Sequence, residues 1–173
     1  MRTLPLRHRP AASTPMLYAA LKTVHLLAVV AWVGGMFFVL ACLRPASLVL
    51  EAPERIRLLH AALGRFFAVV GWSAGLAFLS GAAMTAMAWT TARRSGIAFN
   101  MPLDWMVMVG VFVAMLAVFL HVRLALYPRV TQALAAGTWQ PGAMALGKIR
   151  AEVLVNLVLG VFVVVVTRLG SAA

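Results

Sequence analysis

Four long apolar runs, each near the length needed to cross a bilayer, constrain this chain more than any other feature. They fall at about 17–43, 56–90, 103–127 and 147–168. A membrane-spanning helix needs about 20 mostly apolar residues. Inside lipid only helices and closed barrels satisfy every backbone N–H and C=O, and these runs lack the two-residue alternation of barrel strands. The sequence therefore predicts an all-α polytopic membrane protein, a single four-helix transmembrane bundle over 16–170, behind a basic tail at 1–15 that is predicted to be disordered. The lipid bilayer is its first partner. With 64% hydrophobic residues, against roughly 45–50% in ordinary globular domains, the chain lacks the polar surface of a soluble fold.

Fifteen Lys and Arg stand against four acids, a formal charge of +11. In a soluble protein that excess suggests nucleic acid. Here the basic residues stand between apolar runs, where they suit lipid phosphates and topology, and no nucleic-acid partner is expected. Arg2, Arg7, Arg9, Arg93, Arg94 and Arg168 fall on one side of the bundle. Arg44, Arg55, Arg57, Arg65, Arg123, Arg129, Lys148 and Arg150 fall on the other. That imbalance is too small to fix orientation; it favours the two longer loops in the cytoplasm. The single cysteine, Cys42, excludes an intramolecular disulfide and a cysteine zinc site. The apolar run before it is longer than the 7–15 residues of a signal-peptide core, so it reads as an uncleaved first helix.

Proline and glycine suggest the boundaries. Arg44-Pro45 is expected to stop the first helix, because proline disfavours helix at the residue before it. Pro53 suits the first turn of the second helix. Ile56, Leu59, Leu63 and Phe67 then share one face, with Arg55, Arg57 and Arg65 on the wet side, so this helix is expected to begin outside the membrane. Small residues at Gly64, Ala68, Gly71, Gly75 and Ala82 form a second stripe, expected to pack against a neighbouring helix. Residues 128–141, with Gly137 and Trp139, read as a surface loop.

Ionisable groups within these runs point to chemistry, since a central lysine costs about 2.5–3.5 kcal/mol on insertion scales. Lys22, His25, Trp32 and Gly35 share a helical face, and His25 lies roughly 12 Å in from Leu17. Lys22 either snorkels to the interface or serves a site. His25 is a metal or haem ligand, a proton carrier, or a hydrogen-bonded packing residue. Met84, Met87, Met101, Met106 and Met108 gather at the same end. Their soft thioethers suit Cu(I), and they also serve as ordinary apolar filler. At the other end stand His60, Arg65, His121, Arg123, Arg150, Glu152 and Asn156. These form either a structural polar network or a mouth for an anion or proton. No Ser-His-acid set, phosphate-cradling glycine loop or close carboxylate pair is present, so the chain leans away from an enzyme.

Lys22-Thr23-Val24-His25 followed by Ala31-Trp32-Val33-Gly34-Gly35-Met36-Phe37-Phe38 resembles the first helix of the copper resistance protein D (CopD) family. Arg44-Pro45, Arg65-Phe66 and Lys148-Ile149-Arg150 with Asn156 and Gly160 extend the resemblance over most of 17–169. It implies a multi-pass protein of the bacterial inner membrane that handles or transports copper; taken with the soft donors at that end, it makes His25, Met84, Met87 and Met108 the candidate metal ligands. The same first helix resembles the HemJ family, linked to protoporphyrinogen oxidation and haem b. That likeness implies a cofactor site drawing on Lys22, His25, Trp32, His121, Arg150 and Asn156. The Asn-Glu-Pro run of that family is missing here, as is its lysine near the third helix start, where Trp105-Met106-Val107-Met108 stands. A third expectation is a non-catalytic subunit, self-associating or docked to a membrane partner through Glu54–Phe67 and the Trp139 region.

Overall fold

The structure, a computed structural model, describes residues 13–170, with side chains over 15–167. Residues 1–12 of the predicted tail, including Arg2, Arg7 and Arg9, and the side chain of Arg168 lie outside the described residues. Ser13 already belongs to a helix, so the predicted tail reaches too far.

The helices are α1 (Ser13–Phe38), α2 (Arg44–Ala46), α3 (Ala52–Arg94), α4 (Leu103–His121), α5 (Tyr127–Ala135) and α6 (Trp139–Gly170). They join into four rods long and apolar enough to span a membrane: Pro15–Val49, Ala52–Arg94, Leu103–Ala135 and Trp139–Thr167. Side chains such as Leu27, Val30, Phe37, Trp72, Leu79 and Val158 are exposed along their flanks. A soluble protein rarely exposes so large an apolar surface, whereas lipid tails accept it.

Neither proline-marked boundary ends a helix. Pro45 and Pro128 are carried inside their rods, and each is preceded by a π-helical turn, Val39–Leu43 and Val122–Leu126. Proline has no N–H to donate, and its ring strikes the carbonyl four residues back. A π turn widens the helix by one residue and displaces those carbonyls. In both rods the residue before the proline stays helical and donates its N–H five residues back: Arg44 to Val39 O, Tyr127 to Val122 O. The first rod therefore runs on to Val49, and the expected 128–141 loop shrinks to the short link between Ala135 and Trp139.

The ends of α3 and α5 are made by glycine, whereas the first rod stops where Leu50 turns extended. After α3, Gly96 takes φ +70°, while Ile97 N–H donates to Ala92 O and Gly96 N–H to Arg93 O. After α5, Gly137 takes φ +65° with the same two bonds, Thr138 to Ala133 and Gly137 to Leu134. Both are left-handed glycine caps that satisfy terminal carbonyls. At the other end of α3, Pro53 sits in the first turn beside Glu54, as the sequence suggests. At 43 residues and about 1.5 Å each, α3 measures roughly 64 Å, twice the hydrocarbon thickness.

α1 lies along α3, while α4 and α5 lie along α6, which also touches α1 and α3. The shared core holds Trp32, Met36, Phe67, Met115, Val122 and Val153. Trp32 meets Phe112 edge-on at 6.0 Å and Phe119 at 6.4 Å. Phe67 meets Phe119 at 6.1 Å and Tyr127 at 5.2 Å. Edge-on aromatic pairs at these spacings stabilise beyond their buried area.

The small stripe on α3 does not behave as expected. Ala68, Gly71, Gly75 and Ala82 face outward, and a Cβ added at Gly71 or Gly75 would meet nothing within 4 Å. The inward face belongs to Ile56, Leu59, Leu63, Phe67, Val70 and Ala77, whose bulk fills the bundle. Within the stripe only Gly64 is closely approached, a Cβ there standing 2.6 Å from the Tyr127 hydroxyl; the other close approaches lie off the stripe. A Cβ at Gly35 would stand 2.8 Å from the Phe66 ring, and one at Gly160 would stand 2.8 Å from Val33.

Candidate functional site

Two polar constellations stand on the bundle, one toward each end. The first centres on His25. Its Nδ1 is 2.9 Å from Ala77 O and 3.1 Å from Ser80 Oγ on α3. A carbonyl oxygen only accepts, so Nδ1 carries the proton and donates. Ser80 turns its own hydroxyl hydrogen back to Leu76 O at 2.5 Å, which leaves the serine oxygen free to accept from His25. In the neutral ring the lone pair then sits on Nε2, which makes no hydrogen bond among the described residues. A backbone carbonyl fixing Nδ1–H while Nε2 stays basic is how metal-binding histidines are commonly oriented.

This arrangement depends on small residues. The ring passes Gly81, where a Cβ would lie 3.4 Å from His25 Cε1. Ala77, Ser80, Met84 and Met87 fall at i, i+3, i+7 and i+10, so the stripe that receives His25 continues into the two methionines. Both are half-buried, as is Met108. Met108 precedes Phe112 by one turn, and Phe112 touches both Trp32 and Phe78. Lys22, one turn from His25 toward the helix start, is exposed. Trp32 is buried two turns deeper in the aromatic cluster, so it supports the core. No group of three His, Cys, Asp or Glu that could hold a metal exists among the described residues. Besides the Asp104 carboxylate in the first turn of α4, the donors at this end are imidazole and thioethers, a soft set.

The second constellation is smaller than the sequence suggests. His121 and Glu152 pair at 2.9 Å, with side chains 55% and 28% exposed. One turn deeper on α6, Asn156 is 4% exposed and its Oδ1 has no partner. Glu152, Asn156, Met36, Trp32 and Phe119 line a cavity of about 10 Å³, close to the space one water needs.

The other residues of that predicted mouth belong elsewhere. His60 stacks on Tyr127 at 4.6 Å and bonds Thr131 Oγ1 at 2.8 Å, while Tyr127 donates its hydroxyl to His60 O at 3.1 Å. The Arg123 guanidinium lies 5.3 Å over the Tyr127 ring. Arg65 is exposed. Arg150 shares a different cleft with Arg44. Arg44 was missed because it reads as the last residue before a helix stop; its Nη1 donates to Leu146 O at 3.2 Å.

His25 and His121 stand far apart. His25 is seven residues above Trp32 on α1. Trp32 sits between Phe112 and Phe119 on α4, and His121 lies beyond them. At 1.5 Å per residue the axial separation is roughly 19 Å, too great for two ligands of one iron. A haem at His25 would need a different second ligand.

In comparisons with known proteins, residues 60–169 match the family model described as copper resistance protein D. No curated protein and no solved structure gives a match. The matched stretch covers most of the second rod and the third and fourth rods, and begins after the first-helix motif. It speaks for the first of the two resemblances.

Proposed function

We propose, from the premise that this chain belongs to the copper resistance protein D family, that it receives Cu(I) at His25 and passes it through the bundle. The observation that carries the reading is the fixed tautomer of His25, whose Nδ1–H is held by Ala77 O. Its free Nε2 lies at the end where Met84, Met87 and Met108 offer thioethers. Imidazole with thioethers selects a soft monovalent ion over hard divalent ones. Further in, Met115 and Met36 are buried along the bundle, roughly 10 and 16 Å below His25 by helical rise. They are the next soft donors before Asn156 and Glu152. In this reading the copper ion is cargo, the chain works in the bacterial inner membrane, and no bond is made or broken apart from ligand exchange.

The test is competition for Cu(I) between the detergent-purified protein and a colorimetric Cu(I) chelator. His25→Ala is expected to lower affinity by at least the 10–100-fold that loss of an outer-shell partner costs a metal site. His121→Ala is expected to leave it unchanged. A protein that binds no more Cu(I) than its Met84→Leu/Met87→Leu/Met108→Leu variant carrying His25→Ala would overturn the proposal.

A further inference from the structure

Arg44, near the end of the first rod, and Arg150, three turns into α6, line one cleft, and Arg55 stands in the first turn of α3. Arg44 is half-buried and anchored on Leu146 O. Arg55 and Arg150 lie near enough for their charges to oppose its own. The one ion pair among the described residues joins His121 and Glu152, so none of the three arginines has a carboxylate within 4.0 Å. Glu51 and Glu54 neighbour Arg55 in sequence, yet both are exposed. Gathering like charges is unfavourable unless an anion sits among them.

The surroundings indicate what kind of anion. Arg44 and Arg150 rim a cleft whose other walls include Leu40, Leu59, Leu63 and Ile149. That places a cationic rim against an apolar wall. The cleft encloses only about 20 Å³, so a hydrocarbon chain would lie across it and a headgroup would engage the rim. Depth agrees. Arg44 is twelve residues beyond Trp32, roughly 18 Å along the axis. Trp32 is the central residue of the first rod, Pro15–Val49, and a half-core is about 15 Å, which sets Arg44 near headgroup level.

We infer that Arg44 and Arg150, with Arg55 adding positive charge nearby, form a binding site for the phosphate group of an anionic phospholipid at this end of the bundle. Basic clefts between membrane helices recognise such headgroups, and each arginine near the surface contributes about fivefold in affinity. The site is independent of copper binding.

Native mass spectrometry of the full chain in a neutral detergent tests this, with phosphatidylglycerol, phosphatidylcholine or inorganic phosphate added separately. Phosphatidylglycerol should be retained over phosphatidylcholine. Arg150→Gln, an exposed position, should lower that retention about fivefold, and Arg44→Gln/Arg150→Gln together about 25-fold. Arg94→Gln, at the other end, should change nothing. Since Arg44 also holds Leu146 O, the Arg150→Gln result decides the matter if the double variant misfolds. Equal retention of the two lipids, or retention unchanged in Arg150→Gln, would overturn the inference. So would protection against thermal unfolding by inorganic phosphate equal to that by phosphatidylglycerol, which would identify a free-phosphate site.

Discussion

Replacing Gly160 by alanine should loosen the bundle, and the structure says by how much. The added Cβ would stand 2.8 Å from Val33 Cγ2 and 3.3 Å from Met115 Cε. Carbon atoms in favourable contact sit about 3.5–4.0 Å apart, so the new atom is roughly 0.7–1.2 Å too close to valine. Met115 is unbranched and can give way. Val33 is β-branched and held to one rotamer in a helix, so α6 must retreat from α1. Overpacking of this kind costs about 1–3 kcal/mol, offset by about 0.5–1 kcal/mol from replacing a helical glycine. The expected net loss is about 1–2 kcal/mol, read by thermal unfolding in detergent followed by tryptophan fluorescence. Val33→Ala in the same chain makes room for the new Cβ. The double variant should therefore be more stable than the sum of the singles by about 0.5–3 kcal/mol, as contacting residues couple. Gly71→Ala and Gly75→Ala, which meet nothing, should be neutral or stabilising by up to about 1 kcal/mol. Strict additivity of Val33→Ala and Gly160→Ala, or a Gly160→Ala protein as stable as the parent, would refute the contact.

Two further outcomes are expected in the same assay. Tyr127→Phe keeps the stack on His60 but loses the hydroxyl bond to His60 O, costing about 0.5–1.5 kcal/mol. Because a Cβ at Gly64 would stand 2.6 Å from that hydroxyl, Gly64→Ala should be better tolerated alongside Tyr127→Phe than alone. Asn156→Leu keeps the branched shape while removing a buried, unpartnered acceptor, so stability should hold or rise by about 1 kcal/mol. A loss above about 2 kcal/mol would mean the amide has a bound partner.

The number of spans was legible because lipid admits so few backbone solutions. The amphipathic start of α3 was legible because Ile56, Leu59, Leu63 and Phe67 keep helical period beside arginines. The face of α3 deeper in the membrane was not. There both sides are apolar, and periodicity cannot tell a lipid-facing Gly71 from an inward Val70. His25 was conspicuous as a costly group, yet its partner was hidden, since the Ala77 carbonyl belongs to the backbone and leaves no mark in the residue alphabet. The polar mouth at the far end was over-gathered. Residues that share a membrane depth, such as His60 and His121, can sit on different rods, and depth alone does not say which ones meet.

The wide turns ahead of Pro45 and Pro128 also predict how the chain tolerates a change of length. A π turn is one residue inserted into an α-helix that leaves both flanks in register. Deleting a residue within Val39–Leu43 would restore a regular helix and leave Arg44 facing Leu146, but it would bring a carbonyl back under the Pro45 ring. The extra residue and the proline thus form a matched pair. A shortened chain should assemble only when Pro45 is replaced as well, and the same should hold for Val122–Leu126 with Pro128. Relatives one residue shorter at either place are expected to lack the proline there.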